Sequence, residues 1–115
     1  MVRDHLSGAS NGTGLKVAVD SGTYTTVHTV TTTTADFEEI WVWLANIGTA
    51  TEVVTFHIGG TDEEHTIKVQ VPAESVILAI PGITLQGAGS FTVLAGASTA
   101  DKISAWGHIN LIDAA

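Results

Sequence analysis

The chain contains no cysteine. That excludes disulfides, thiolate zinc sites and cysteine nucleophiles, and it is neutral about compartment. Positive charge is nearly as scarce. Arg3, Lys16, Lys68 and Lys102 are the four cations, against twelve acids, for a net charge of −8. They are scattered along the chain, whereas a phosphate backbone needs a basic stripe, so nucleic acid is not expected as a partner. An anionic membrane surface is disfavoured for the same reason. No apolar run approaches the ~20 residues of a membrane-spanning helix. The opening residues Met1-Val2-Arg3-Asp4-His5-Leu6-Ser7-Gly8 hold no apolar stretch of the kind a secretory signal needs, and none is expected there. Charged residues of both signs make up only 14% of the chain, against about 25% in typical domains. The surface must then be largely Thr, Ser, Gly and Ala, a composition that suits packing against other protein.

Helix-building residues are also few, while Val, Ile and Thr together supply 39 of the 115 residues. Branched side chains are stiff at χ1 and fit a pleated sheet better than a helix. Patterning agrees. Residues 66–71 alternate strictly, as do Val54, Phe56 and Ile58 against Thr55 and His57. Residues 90–95 repeat the pattern more loosely. Each such run reads as a strand with one wet face. Residues 40–45 and 75–80 are apolar on both faces. The first of these suits a central strand, or one whose outer face meets a partner. A last strand over 102–112 carries Gly107, the mark of a bulge or a close backbone approach. Segments 15–19 and 23–30 add two more strands. Turn signals separate them: Asn46-Ile47-Gly48-Thr49, Gly59-Gly60-Thr61-Asp62, Pro72-Ala73-Glu74, Pro81-Gly82 and Gly87-Ala88-Gly89.

The expectation is an all-β, single-domain antiparallel β-sandwich of about eight strands, jelly-roll or immunoglobulin-like, over residues 15–115. Residues 1–14, with three glycines and few apolar anchors, read as a flexible extended arm outside the core. Val54, Phe56, Ile58, Ile67, Val69, Val71, Phe91, Val93, Ile103, Ile109 and Leu111 are the expected shared core.

Chemistry-bearing motifs are sparse. Asp62-Glu63-Glu64-His65 invites a metal reading, but the calcium-loop spacing is absent and no His pair has zinc-ligand spacing. A solvated acidic hairpin loop accounts for it, with a weak cation site between subunits as the alternative. Seven serines are present without a Gly-x-Ser-x-Gly elbow. The acids fall mostly in loops or strand ends, with Glu38 and Glu39 as exceptions, so no carboxylate pair for glycoside hydrolysis is apparent. No cofactor and no enzymatic activity are expected. Trp41 and Trp43 share one strand face, and Trp106 and His108 share another. If these strands pair, the aromatics with His57 and His108 line one patch. Such a patch is a ligand platform, an ordinary second packed face, or an inter-subunit contact.

A Gly/Ser-rich head runs from Leu6-Ser7-Gly8 to Gly14-Leu15-Lys16-Val17-Ala18 and leads into Val27-His28-Thr29. Phe37-Glu38-Glu39-Ile40-Trp41-Val42-Trp43-Leu44-Ala45-Asn46 and Val54-Thr55-Phe56-His57-Ile58-Gly59-Gly60-Thr61 come next. Val71-Pro72-Ala73-Glu74-Ser75 then precedes an apolar strand ending Ile80-Pro81-Gly82, and the chain closes on Trp106-Gly107-His108-Ile109-Asn110. This order is similar to that of small β-sandwich proteins encoded among tailed-bacteriophage head genes, and it resembles capsid decoration, or cement, proteins. The resemblance implies a structural virion protein on the outside of an icosahedral shell, made in the host cytoplasm. Its partners would be the major capsid protein and further copies of itself, most simply in a homotrimer. It brings no catalytic residue. Val2, Arg3 and Leu6 of the arm are then the expected capsid contacts; and because residues 40–45 are apolar on both faces while a sandwich has one inside, Trp41, Trp43, Trp106 and His108 are the expected inter-subunit interface. The alternatives are a carbohydrate- or ligand-binding module using Trp41, Trp43 or Trp106, or another phage head or tail component.

Overall fold

The structure is a computed structural model that describes residues 2–32, 36–87 and 91–113. The threonine run at 31–34 and the glycine turn at 87–89 therefore lie partly outside the described residues. Nine strands form among them: β1 (Val2–His5), β2 (Leu15–Lys16), β3 (Thr25–Val30), β4 (Asp36–Asn46), β5 (Glu52–Ile58), β6 (Thr66–Val71), β7 (Ser75–Leu85), β8 (Phe91–Ala97) and β9 (Ile103–Asp113). A single 3-10 turn, Glu63–His65, joins β5 to β6. Among the described residues no helix is long and apolar enough to cross a membrane.

The strands pack as two antiparallel sheets, β1-β9-β4-β7 with β2 added on β9, and β3-β8-β5-β6. With the two-residue β2 set aside, these interleaved orders are those of the jelly roll, which decides between the two sandwich topologies left open by the sequence. The chain moves between the sheets at each layer change, so the core is built from both inner faces. Ile40, Val42, Leu44, Ile80, Ile103, Ala105 and Ile109 come from the first sheet, and Val27, Val54, Phe56, Val71, Val93, Ala95 and Ala97 from the second. Ile58, Ile67, Val69, Phe91 and Leu111 pack against this cluster half-buried. The expected core thus forms, with each large side chain contributing roughly 1.5–3 kcal/mol by burial.

Three local features differ from simple alternation. The β7 strand does not stop at Pro81-Gly82 but continues to Leu85 through register shifts against β4. Proline is tolerated because β7 is an edge strand and needs no outward N–H, and Gly82 takes the bulge at φ +79°. Gly107 marks a close approach: a Cβ there would meet the Trp41 carbonyl oxygen at 1.9 Å. The third feature is the amino-terminal segment. The sequence reads residues 1–14 as a free arm, but Val2–His5 pair with Leu111, Asn110, Ile109 and His108 of β9, giving the ninth strand. Leu6 is fully buried in the core. A side chain of that size offsets the entropy of ordering its neighbours, which the count of glycines alone did not register.

Candidate interaction face

The outer face of the β1-β9-β4-β7 sheet follows from the register. Odd positions of β4 point away from the core because Glu38, Ile40, Val42, Leu44 and Asn46 point into it. Trp41 lies opposite His108 and Trp43 opposite Trp106 on β9. On the other flank, Trp41 lies opposite Pro81, Trp43 opposite Leu78 and Ala45 opposite Val76 on β7. Three strands therefore present a continuous, mostly apolar surface to solvent. Val76 is 64% exposed, Leu78 41% and Trp106 45%.

Within this surface the rings are ordered against one another. The Trp41 and Trp43 centroids are 6.3 Å apart with planes at 22°, and His108 lies 6.3 Å from Trp41 and 5.8 Å from Trp43. One end of the trio is fixed by a polar ladder across three strands. Trp41 Nε1–H donates to Glu39 Oε1 at 2.6 Å, Asn110 Nδ2–H donates to the same oxygen at 2.9 Å, and Arg3 Nε–H donates to Asn110 Oδ1 at 3.3 Å. The two N–H donors hold the Glu39 carboxyl below its usual range, Trp41 having the larger effect. Burial pushes the His108 imidazole below its usual value, the Arg3 charge adds to this, and Glu39 partly opposes it. His108 is thereby favoured as a neutral ring among the indoles.

All four residues expected at an interface share this face, but Trp106 stands slightly apart. Its ring turns over Gly14, where an added Cβ would meet it at 2.5 Å, and its Nε1–H donates to Ser104 Oγ at 2.8 Å. His57 does not join the patch. It sits in the opposite sheet, 8% exposed, edge-on to Tyr24 at 4.6 Å and 3.1 Å from Thr66 Oγ1. Of the arm residues, Val2 is exposed and Arg3 belongs to the polar ladder. Leu6 is core, so it is not available for an outside contact, and the expectation that it docks on a capsid is corrected. Sequence reasoning missed the Glu39–Asn110 bridge and the part played by Val76 and Leu78. The signal for the latter was present, since 75–80 is apolar on both faces just as 40–45 is.

Elsewhere, donor atoms of Asp62, Glu64 and His65 lie within 4.8 Å of one another on the β5–β6 turn, where Asp62 and Glu64 are exposed. A cleft of about 420 Å³ beside Trp106 is lined by Gly14, Ile47, Lys102 and Ile103, among others. Its Lys16 and Asp101 pair with each other at 2.8 Å on the surface. Comparison with protein-family models, curated proteins and solved structures gives no match for this chain.

Proposed function

We propose that the chain is a structural virion protein that binds the outer surface of a tailed-bacteriophage capsid and stabilises the shell, as decoration or cement proteins do. In this reading it contacts the major capsid protein, associates with itself as a homotrimer, needs no cofactor and performs no catalysis. It is made in the host cytoplasm and ends on the capsid exterior. The observation that supports the reading is the second apolar face. A sandwich has one inside, yet Trp41, Trp43, Leu78, Val76 and Trp106 form a further apolar surface on its outside. Contiguous surfaces of this kind mark protein contacts. The indole N–H groups of Trp41 and Trp106 are already bonded within the chain, so what they offer a partner is mainly ring area. Jelly-roll sandwiches recur in viral shells and in lectins, and fold alone does not choose between these.

The test is co-sedimentation of the purified protein with capsids that lack a decoration protein, alongside light scattering of the protein alone. Saturable binding and a mass near three times 11.9 kDa support the reading. A monomer that stays in the supernatant overturns it.

The Trp41–Trp43–His108 trio beside the Glu39–Asn110–Arg3 ladder favours one second reading, a carbohydrate-binding module. Stacking rings next to fixed hydrogen-bonding groups suit a sugar's apolar face and its hydroxyls. Saturable quenching of tryptophan fluorescence by an oligosaccharide, with no capsid binding, would select it.

A further inference from the structure

Near one end of the core, two strands and the segment that follows β1 meet at a buried polar relay. His28 on β3 and Glu38 on β4 are 4% and 2% exposed. The backbone N–H of Ser7 lies 3.0 Å from His28 Nδ1. A backbone N–H can only donate, so Nδ1 carries no proton. The neutral ring then keeps its proton on Nε2, which faces Glu38 Oε1. The other oxygen, Oε2, accepts Thr31 N–H at 3.0 Å and Thr32 N–H at 3.1 Å. Among the described residues, three donors and no acceptor face the two Glu38 oxygens. Ser7 Oγ accepts Thr29 N–H at 2.7 Å, and Gly8 N–H reaches the Val27 carbonyl at 3.0 Å. Through these bonds the segment that follows β1 crosses from the first sheet to the second.

We propose that His28 is an acid-sensitive latch for this amino-terminal strap, independent of any capsid role. A proton added at Nδ1 converts the acceptor into a donor, and the Ser7 N–H then faces another N–H. The strap loses one of its three hydrogen bonds to β3, keeping Ser7 Oγ with Thr29 and Gly8 with Val27, and the hold on the adjoining Val2–His5 strand weakens. All four residues of that strand are exposed, so its pairing is weakly protected. The charged ring keeps its bond to Glu38, and β3 and β4 stay joined. Only the open state accommodates the extra proton, so it binds more protons and closure weakens as pH falls.

Among the described residues, few titratable groups face the ring. Glu38 comes from β4, while Asp4 and His5 of β1 border the same cleft of about 400 Å³, which gives the relay its route to solvent. β9 contributes Ile109 and Leu111 there, and β8 places Val93 opposite His28, all uncharged. Opening the strap would uncover the β9 edge, with unpaired N–H and C=O groups able to receive another strand.

Amide hydrogen exchange by NMR tests the proposal, corrected for the intrinsic pH dependence of exchange. Spectra are recorded at descending pH for as long as the β4 amides stay protected. Protection at Ser7 and Gly8 should fall at least tenfold, while Val42 and Leu44 in β4 keep theirs. The His28 ring nitrogens should pass from the Nε2–H form to the doubly protonated form together with that loss. A ring proton on Nδ1 at the upper pH would overturn the latch. So would Ser7 protection that is constant, or that merely follows Val42. His28→Asn supplies an acceptor near the Nδ1 position that takes no proton, so the step should vanish. A step that persists in that variant also overturns the proposal, and if the variant does not fold, the wild-type exchange and ring spectra decide.

Discussion

The Trp41 indole lies across Gly82, where an added Cβ would stand 2.8 Å from the ring. Gly82 also holds φ at +79°. Gly82→Ala therefore meets both a steric and a backbone objection. It should cost roughly 1–3 kcal/mol, the usual range for a residue held in a sparsely populated conformation. The ring must also tilt away, and the near-UV circular dichroism of the indoles should change with it. An unaltered aromatic spectrum would show that Trp41 is not seated on that glycine.

Phe56 is fully buried between the sheets. Phe56→Ala should destabilise by roughly 3–5 kcal/mol in urea unfolding, since it empties an aromatic site the surrounding strands cannot refill. A loss below about 1 kcal/mol would place the ring outside the core.

Leu6 makes a sharper case because the sequence assigns it to a free arm. Its side chain is fully buried, so Leu6→Ala should cost roughly 2–5 kcal/mol. Val2→Ala, on an exposed position of the same segment, should change stability by less than about 0.5 kcal/mol. Equal and negligible effects would restore the free arm.

The two-sheet class and most of the core were legible because Val, Ile and Thr alternate through β5, β6 and β8. Trp41, Trp43, Trp106 and His108 were likewise placed together by counting parity along two strands. Parity fails where a strand bulges. The register shift between Thr26 and His28 inserts Val27 into β3. It turns His28 inward beside Val93, where strict alternation from Val27 would have put it on the wet face. The His28–Glu38 relay was hidden for that reason. In the sequence Glu38 is only an acid within a strand. Its partners are His28 and the backbone of Thr31 and Thr32, and no spacing rule brings these together. The amino-terminal strand was missed because its pairing partner lies more than a hundred residues away, and four exposed residues carry no periodic signal of their own.

Leu78→Lys probes the outer face without touching the core. The side chain is 41% exposed on an edge strand, so the thermal midpoint should barely move. A charge placed beside Trp43 must be desolvated in any contact that covers the face, which costs several kcal/mol unless it finds a partner. The proposed self-association, measured by light scattering, should fall at least tenfold. Unchanged association in a folded variant would exclude this face from the interface.

The same face has a pH signature with opposed effects of two neighbours. The His108 imidazole lies below its ordinary value of 6.5, chiefly through burial and then through Arg3, while Glu39 pulls it upward. The unfolded chain thus binds the proton more readily than the folded one. Stability from this group is complete above the ordinary value and declines as pH falls from there towards the folded value. Glu39 behaves as a depressed acid, held down by the N–H groups of Trp41 and Asn110. Its contribution is present above the ordinary value of 4.5 and is lost as pH falls through the folded one. Following the His108 ring protons by NMR separates the causes. Arg3→Ala should raise the midpoint by removing a repelling cation, and Glu39→Gln should lower it further by removing an attracting anion. Glu39→Gln should also flatten the stability profile below about pH 4.5 while keeping an oxygen acceptor for Trp41. Shifts of the same sign in both variants would show that packing alone sets the His108 midpoint, and that the ladder beside it has no electrostatic hold on the ring.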